Sequence, residues 1–148
     1  MSDKVEITEL LYRYAELVDS GDFDGVGRLL ARASFGGANT PSVSGAENIA
    51  GLFGMTTRRF ESGTPKTRHL VLNAIVDVDG DTAASRSTFL VVQATDTVPF
   101  QPIVAGRYYD RFARDADGWH FTERKADVEM VGDVSDHLLI DPHQFDQR

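Results

Sequence analysis

The stretch Thr67-Arg-His-Leu-Val-Leu-Asn-Ala-Ile-Val-Asp-Val-Asp-Gly-Asp-Thr-Ala-Ala-Ser-Arg-Ser-Thr-Phe-Leu-Val-Val-Gln-Ala-Thr95 decides the fold. It reads as two strands around a tight turn at Asp79-Gly80, a pair that tolerates positive φ. A period of two puts Leu70, Leu72, Ala74, Val76 and Val78 on one face of the first strand. His69, Val71, Asn73 and Ile75 fall on the other. Both faces are apolar enough to expect cover, one from helices of the same domain and the other from further protein. His69 and Asn73 are the polar exceptions, and a buried polar side chain must find a partner.

Working outward, the N-terminal flank is helical. Val5, Ile7, Leu10, Leu11, Tyr14, Ala15 and Val18 make an apolar stripe, with Asp3 and Glu6 in the first turn and Gly21 at the end. Asp19 borders that stripe where carbonyl oxygens cluster, a poor place for a carboxylate on helix electrostatics alone. A second helix is expected from Phe23 to Ala33, then a loop from Phe35 to Pro41. Ser44-Gly45-Ala46-Glu47 fits a capping box and predicts a third helix from Ser44 to about Phe60, with Ile49, Leu52, Phe53 and Phe60 inward.

On the C-terminal side, Val98 to Pro102 is a loop by its prolines. Ile103 to Arg114 and Trp119 to Val131 predict a second hairpin through Asp115-Ala116-Asp117-Gly118. By parity Arg124 lies opposite Trp119 and Phe121, so it joins them inside only if a bulge intervenes. The tail, Gly132 to Arg148, carries an apolar run at Leu138-Leu139-Ile140. It leaves three readings open: a lid, an interface segment or a partly disordered end. Three helices followed by four long strands imply one α+β domain spanning residues 1–148, with helices laid on one face of a curled antiparallel sheet.

Composition narrows the function. The 148 residues carry 15 Lys and Arg against 23 Asp and Glu, a net charge of −8, which disfavours nucleic acid as a partner. No apolar run approaches the roughly 20 residues of a membrane span, and the N-terminus opens no signal peptide. With no cysteine there is no thiolate nucleophile or thiolate metal site, and a cytoplasmic location is compatible with this. No Walker loop, dinucleotide fingerprint, Gly-x-Ser-x-Gly elbow or His-Glu-x-x-His is present, so neither cofactor nor metal is expected. The histidines, His69, His120, His137 and His143, show no metal-ligand spacing, and the two in the tail read as solvated.

A curled sheet over helices encloses an apolar pocket with few polar groups. Tyr14, Asp19, His69, Asn73, Arg107, Tyr108 and Arg124 are the candidates to line it. An imidazole titrates near about 6.5, so it can act as a base at neutral pH. A carboxylate on its Nδ1 fixes the tautomer and steadies the imidazolium. Asp19 and His69 are suited to meet that way; the alternatives are a solvated Asp19 and a His69 bonded to backbone.

The order of several short motifs carries a resemblance. Tyr14 and Asp19 on a helix, Asp22-Phe23, Arg68-His69-Leu70-Val71-Leu72-Asn73, Asp79-Gly80-Asp81, Gly106-Arg107-Tyr108-Tyr109-Asp110-Arg111-Phe112 and Asp117-Gly118-Trp119-His120-Phe121-Thr122-Glu123-Arg124 follow one another. From about Ile7 to Val131 the chain resembles the SnoaL-like branch of the nuclear transport factor 2-like superfamily. That branch includes scytalone dehydratase, hexachlorocyclohexane dehydrochlorinase, polyketide cyclases and ketosteroid isomerase. The resemblance implies a cone-shaped α+β barrel, with Asp19 and His69 at the positions of a proton-abstracting Asp–His dyad. It puts Arg124 at a pocket arginine, while Tyr14 stands where the dehydrochlorinase carries a lysine.

The expectation is a cofactor-free lyase or isomerase acting on a small, mostly apolar cyclic molecule. Asp19 and His69 would be catalytic, and Tyr14, Asn73, Tyr108 and Arg124 would contact substrate. Two other readings are a small-molecule-binding module without turnover and a non-catalytic subunit of a ring-hydroxylating dioxygenase-like complex. Leu70, Leu72, Ala74, Val76, Leu90 and Val92 predict a homodimer or higher homo-oligomer through the outer sheet face.

Overall fold

The computed structural model describes residues 2–141. Three helices, α1 (Asp3–Asp19), α2 (Phe23–Leu29) and α3 (Ala46–Thr56), precede four long strands. These are β3 (Thr67–Asp79), β4 (Thr82–Gln93), β5 (Gln101–Asp115) and β6 (Gly118–Val131). Two short strands, β1 (Ser34–Gly36) and β2 (Val43–Ser44), lie in the segment read from sequence as loop and helix start. Their two and three residues are too few to show a period.

The α+β architecture is the expected one, with two differences of detail. The sheet is open and six-stranded in the order β2-β1-β6-β5-β4-β3. It is also mixed, because β1 runs parallel to β6 while the other pairs are antiparallel.

Local chemistry explains the helix limits. Ser2 accepts from the Val5 amide at the start of α1, and Asp22 accepts from the Gly25 amide at the start of α2. The capping box at Ser44 does not form. Gly45, at φ +93°, is the cap residue with no side-chain bond, because Ser44 is drawn into β2 against Ser34. The third helix also ends at Thr56, short of Phe60, whose amide instead closes a turn onto the Thr64 carbonyl. Gly21 joins α1 to α2 at φ +76°, and a Cβ there would sit 1.9 Å from the Gly63 carbonyl oxygen. That close approach seats the end of α1 against the loop leading into β3.

Two bulges decide which side chains face inward. β3 loses register with β4 between Leu72 and Ile75, where Asn73 takes φ +42°. Asn tolerates this left-handed backbone better than most residues. Thr67, His69 and Val71 are inward before the bulge, and Ala74, Val76 and Val78 after it. The expected face is therefore split: Leu70 and Leu72 stay outside, Ala74 and Val76 turn into the core, and Asn73 and Ile75 are exposed.

β6 does the same against β5. Phe112 pairs with Phe121 but Arg111 with Glu123, so the extra residue, Thr122, lets Trp119, Phe121 and Arg124 all face inward.

The core lies between the concave sheet face and the helices. Ile7, Leu11, Val26, Leu30 and Ile49 are fully enclosed there, each stabilising the fold by about 1.5–3 kcal/mol relative to exposure. The convex face is open to solvent in a single chain, with Leu70, Leu72, Ile75 and Met130 all more than a third exposed. From Gly132 the chain folds back over the end of α3, where Leu138 bridges Thr57 and Val134 is buried. No helix among the described residues is long and apolar enough to cross a membrane. His143 lies outside the described residues.

Candidate active site

The end of α1 and the start of β3 bring Asp19 against His69. Asp19 Oδ1 lies 2.6 Å from His69 Nδ1, and Asp19 Oδ2 accepts the His69 backbone amide at 2.8 Å. The Thr67 hydroxyl donates to Oδ1 at 2.9 Å. A carboxylate only accepts, so Nδ1 carries the proton and Nε2 keeps the lone pair. Burial pushes the Asp19 carboxyl up, but bonds from the ring and amide of His69 and from Thr67 outweigh it and hold the group below its ordinary value. These donors offset the unfavourable helix C-terminus. Both side chains are nearly enclosed, His69 at 10% exposure and Asp19 at 13%.

His69 forms part of the wall of a cavity of about 590 Å³. Most of that wall is apolar, including Phe35, Phe53, Phe89, Val91 and Val128. The floor is aromatic: Tyr14 packs edge-on to Phe53 and Tyr108, while Phe89 stacks on Tyr108 with centroids 4.5 Å apart. Gly106 makes room for this stack, since a Cβ there would lie 2.8 Å from the Phe89 ring. Burial raises the pKa of both tyrosines, so they stay neutral phenols.

The remaining candidates separate. Arg124 is fully buried but lies beneath the floor rather than in the cavity wall, its guanidinium 3.6 Å from the Tyr108 ring centre and 4.1 Å from that of Tyr14. Its Nη1 stands 3.4 Å from Asp110 Oδ2. Burial pushes Asp110 up to about 6 while Arg124 pulls it down. Arg107 is on the outer face, paired with Glu129 at 3.4 Å. Asn73 is also outside, because the bulge it occupies turns it away from the cavity.

Sequence reading missed His137. The tail carries this side chain into the same cavity, where it is 7% exposed and its ring centre is 6.4 Å from that of His69. The one signal was its position beside the apolar residues Leu138 and Ile140, which line the same cavity, although Leu139 between them is exposed. Burial, reinforced by neighbouring His69 and opposed by Asp19, pushes its pKa down to about 4. Among the described residues no group of three or more His, Asp or Glu is placed to hold a metal ion.

Comparison with known proteins follows the same lines. The sequence profile of the SnoaL-like domain matches residues 1–125. An uncharacterized protein of Mycobacterium tuberculosis is 29% identical over 127 residues, 84% of each chain. An NTF2-like protein with a cystatin-like fold from Novosphingobium aromaticivorans superposes with a TM-score of 0.70 at 26% identity, covering 84% of this chain and 80% of that one. A provisionally assigned scytalone dehydratase from the same organism superposes with a TM-score of 0.67 at 20% identity, over 86% of this chain and 84% of that one. At that identity the likeness carries the fold alone.

Proposed function

The chain belongs to the SnoaL-like domain family, and from that premise we propose that it is a lyase or isomerase that removes a proton from carbon. The observation that carries this reading is the 2.6 Å contact between Asp19 and His69 in the wall of an apolar cavity. His69 Nε2 takes the proton, and Asp19 fixes the tautomer and stabilises the imidazolium that forms. The likeness in fold to a provisionally assigned scytalone dehydratase agrees with this direction. The apolar wall favours small, largely apolar molecules such as cyclic ones, and a base at His69 requires among them an acidic C–H beside a carbonyl or leaving group. Tyr14 and Tyr108, as neutral phenols on the floor, set the depth and orientation of the ring system.

Deuterium exchange into cyclic ketones in D₂O, followed by NMR, reads the proton abstraction directly. With 2-tetralone, wild-type protein should accelerate exchange at the carbon next to the carbonyl. His69→Ala and His69→Gln should both lose about 10²–10⁴-fold of that acceleration. An exchange rate unaltered in either variant would remove His69 from the reaction. Binding of 2-tetralone with no exchange above the buffer rate would instead mark a binding module without turnover.

We also propose that a second copy of the chain covers the convex face. Register aligns Leu70, Leu90, Ala105 and Met130 across β3 to β6. Leu72, Ile75 and Val92 extend this into an apolar field of the kind monomers rarely expose. Sedimentation at micromolar concentration should give a homo-oligomer that Leu70→Glu with Leu90→Glu converts to monomer. A wild-type monomer would overturn this assembly.

A further inference from the structure

The cavity contains a second imidazole that the dyad does not use. We propose that His137 holds the substrate's oxygen: its ring donates a hydrogen bond to a carbonyl oxygen while His69 takes the proton from the adjacent carbon. The inference rests on the proton-abstraction reading of the same cavity and specifies its substrate as a cyclic molecule with an oxygen next to the acidic carbon.

Three observations support it. First, the imidazole is placed by the fold. The His137 amide donates to the Val134 carbonyl, and its own carbonyl accepts the Arg58 amide at 2.8 Å. The preceding Asp136 is tied down by the Thr95 hydroxyl at 2.6 Å and Arg58 Nη1 at 3.1 Å, and Gln93 donates to its carbonyl. Second, the protein leaves this anchored ring unengaged: Nδ1 is sealed off with no partner, so the ring meets a ligand in the cavity through Nε2–H. A buried nitrogen left unsatisfied costs about 1–3 kcal/mol, and the ring forms part of a cavity otherwise walled mainly by hydrocarbon. Third, the separation fits. The two rings border the same cavity with centres 6.4 Å apart and planes inclined at 63°, so a ligand on the cavity side of both can bring one carbon to His69 and the oxygen of the next carbon to His137.

Burial keeps the ring neutral at ordinary pH, so it acts as a hydrogen-bond donor rather than a cation. Neutral imidazoles polarise carbonyls in this way in enolising enzymes. In the step itself the C–H bond breaks and its proton goes to His69 Nε2. The electron pair forms a carbon–carbon double bond, and the carbonyl π pair moves onto the oxygen facing His137. Return of a proton or deuteron from His69 to carbon completes the exchange.

The test compares 2-tetralone with tetralin, the same bicyclic skeleton without the oxygen. Wild-type protein should bind the ketone about five- to tenfold more tightly, the size of one added hydrogen bond. His137→Phe should abolish that preference while still binding tetralin, and His137→Gln should restore part of it. In unmodified protein the His137 ring resonances should move on adding 2-tetralone and stay in place with tetralin, so the result does not depend on any variant folding. His69→Ala should abolish exchange but keep the ketone preference, which separates failure of the base from failure of the oxygen site. Equal affinity of wild type for the two probes, an undiminished preference in His137→Phe, or unmoved His137 resonances would each overturn the assignment.

Discussion

Among the described residues the fold encloses two contacts between a carboxylate and a basic side chain, and they are built differently. Asp19 and His69 meet at 2.6 Å in the cavity wall, where the carboxylate also receives a hydroxyl and an amide. Asp110 and Arg124 meet at 3.4 Å beneath the tyrosine floor, with Asp110 Oδ1 and Arg124 Nε and Nη2 lacking hydrogen-bond partners. The first has its acceptors filled and its imidazole in the wall of a cavity. The second is fully enclosed, and its cation contacts aromatic faces rather than a ligand. The difference teaches that a buried charge pair becomes a candidate for chemistry through access and orientation; burial alone assigns it to the framework.

The sharpest way to break this distinction is to swap the expected effects. Asp19→Asn keeps the shape and its oxygen can still accept the His69 amide, but the NH2 that then replaces Oδ1 faces Nδ1 and Thr67, favours the wrong imidazole tautomer and loses the bond from the Thr67 hydroxyl. Turnover in the ketone-exchange assay should fall by about 10²–10⁴-fold, with unfolding free energy within about 1 kcal/mol of wild type. A large loss of stability with unchanged turnover would reverse the roles assigned to the two pairs.

Arg124→Met should do the opposite, leaving Asp110 buried beside an uncharged side chain. Urea unfolding should show a loss of about 3–5 kcal/mol. Adding Asp110→Val should recover much of it, because replacing both charges removes the unpaired one. A single variant as stable as wild type would show that the sealed pair does not hold the framework together.

The smallest effect concerns pH. An unfolded histidine protonates near about 6.5, and burial holds His137 down to about 4. Between those values the unfolded chain binds more protons, so stability rises with pH and is lost on acidification. His69 and Asp19 are the titratable neighbours that shift His137, in opposite directions. Asp110, raised to about 6 by burial against the pull of Arg124, has the opposite sign: its contribution is lost as pH rises toward 6. Comparing wild type with His137→Phe cancels Asp110. The variant should lose about 2 kcal/mol less than wild type between pH 7 and pH 5. Parallel urea curves for the two proteins would place His137 in water.

How much of this was readable from the chain depends on periodicity. α1, both long hairpins and the helix-then-strand order follow from repeats that continue for a dozen residues. Asp19 and His69 could be singled out because each is polar beside an apolar pattern. Their meeting depends on Gly21 and on the loop into β3, which no period encodes. The inside and outside of β3 were misread beyond Leu72 because one residue at φ +42° shifts the parity of all that follows. The burial of Arg124 depended on the same device, which the sequence left open. His137 was misread because a segment without regular structure gives no pattern, and its anchors at Arg58, Thr95 and Gln93 are distant in sequence.

The bulge at Thr122 has an evolutionary consequence. Point substitution changes one cavity side chain at a time, and most intermediates must still fold. Gaining or losing a single codon at such a site instead exchanges the inward and outward sets of a whole strand segment together. Ala126 and Val128 on one side, and Glu123 and Lys125 on the other, are two alternative inward sets already written in the same stretch of gene. One inserted or deleted residue at such a site therefore changes the whole inward set of the segment at once, where a substitution changes a single position.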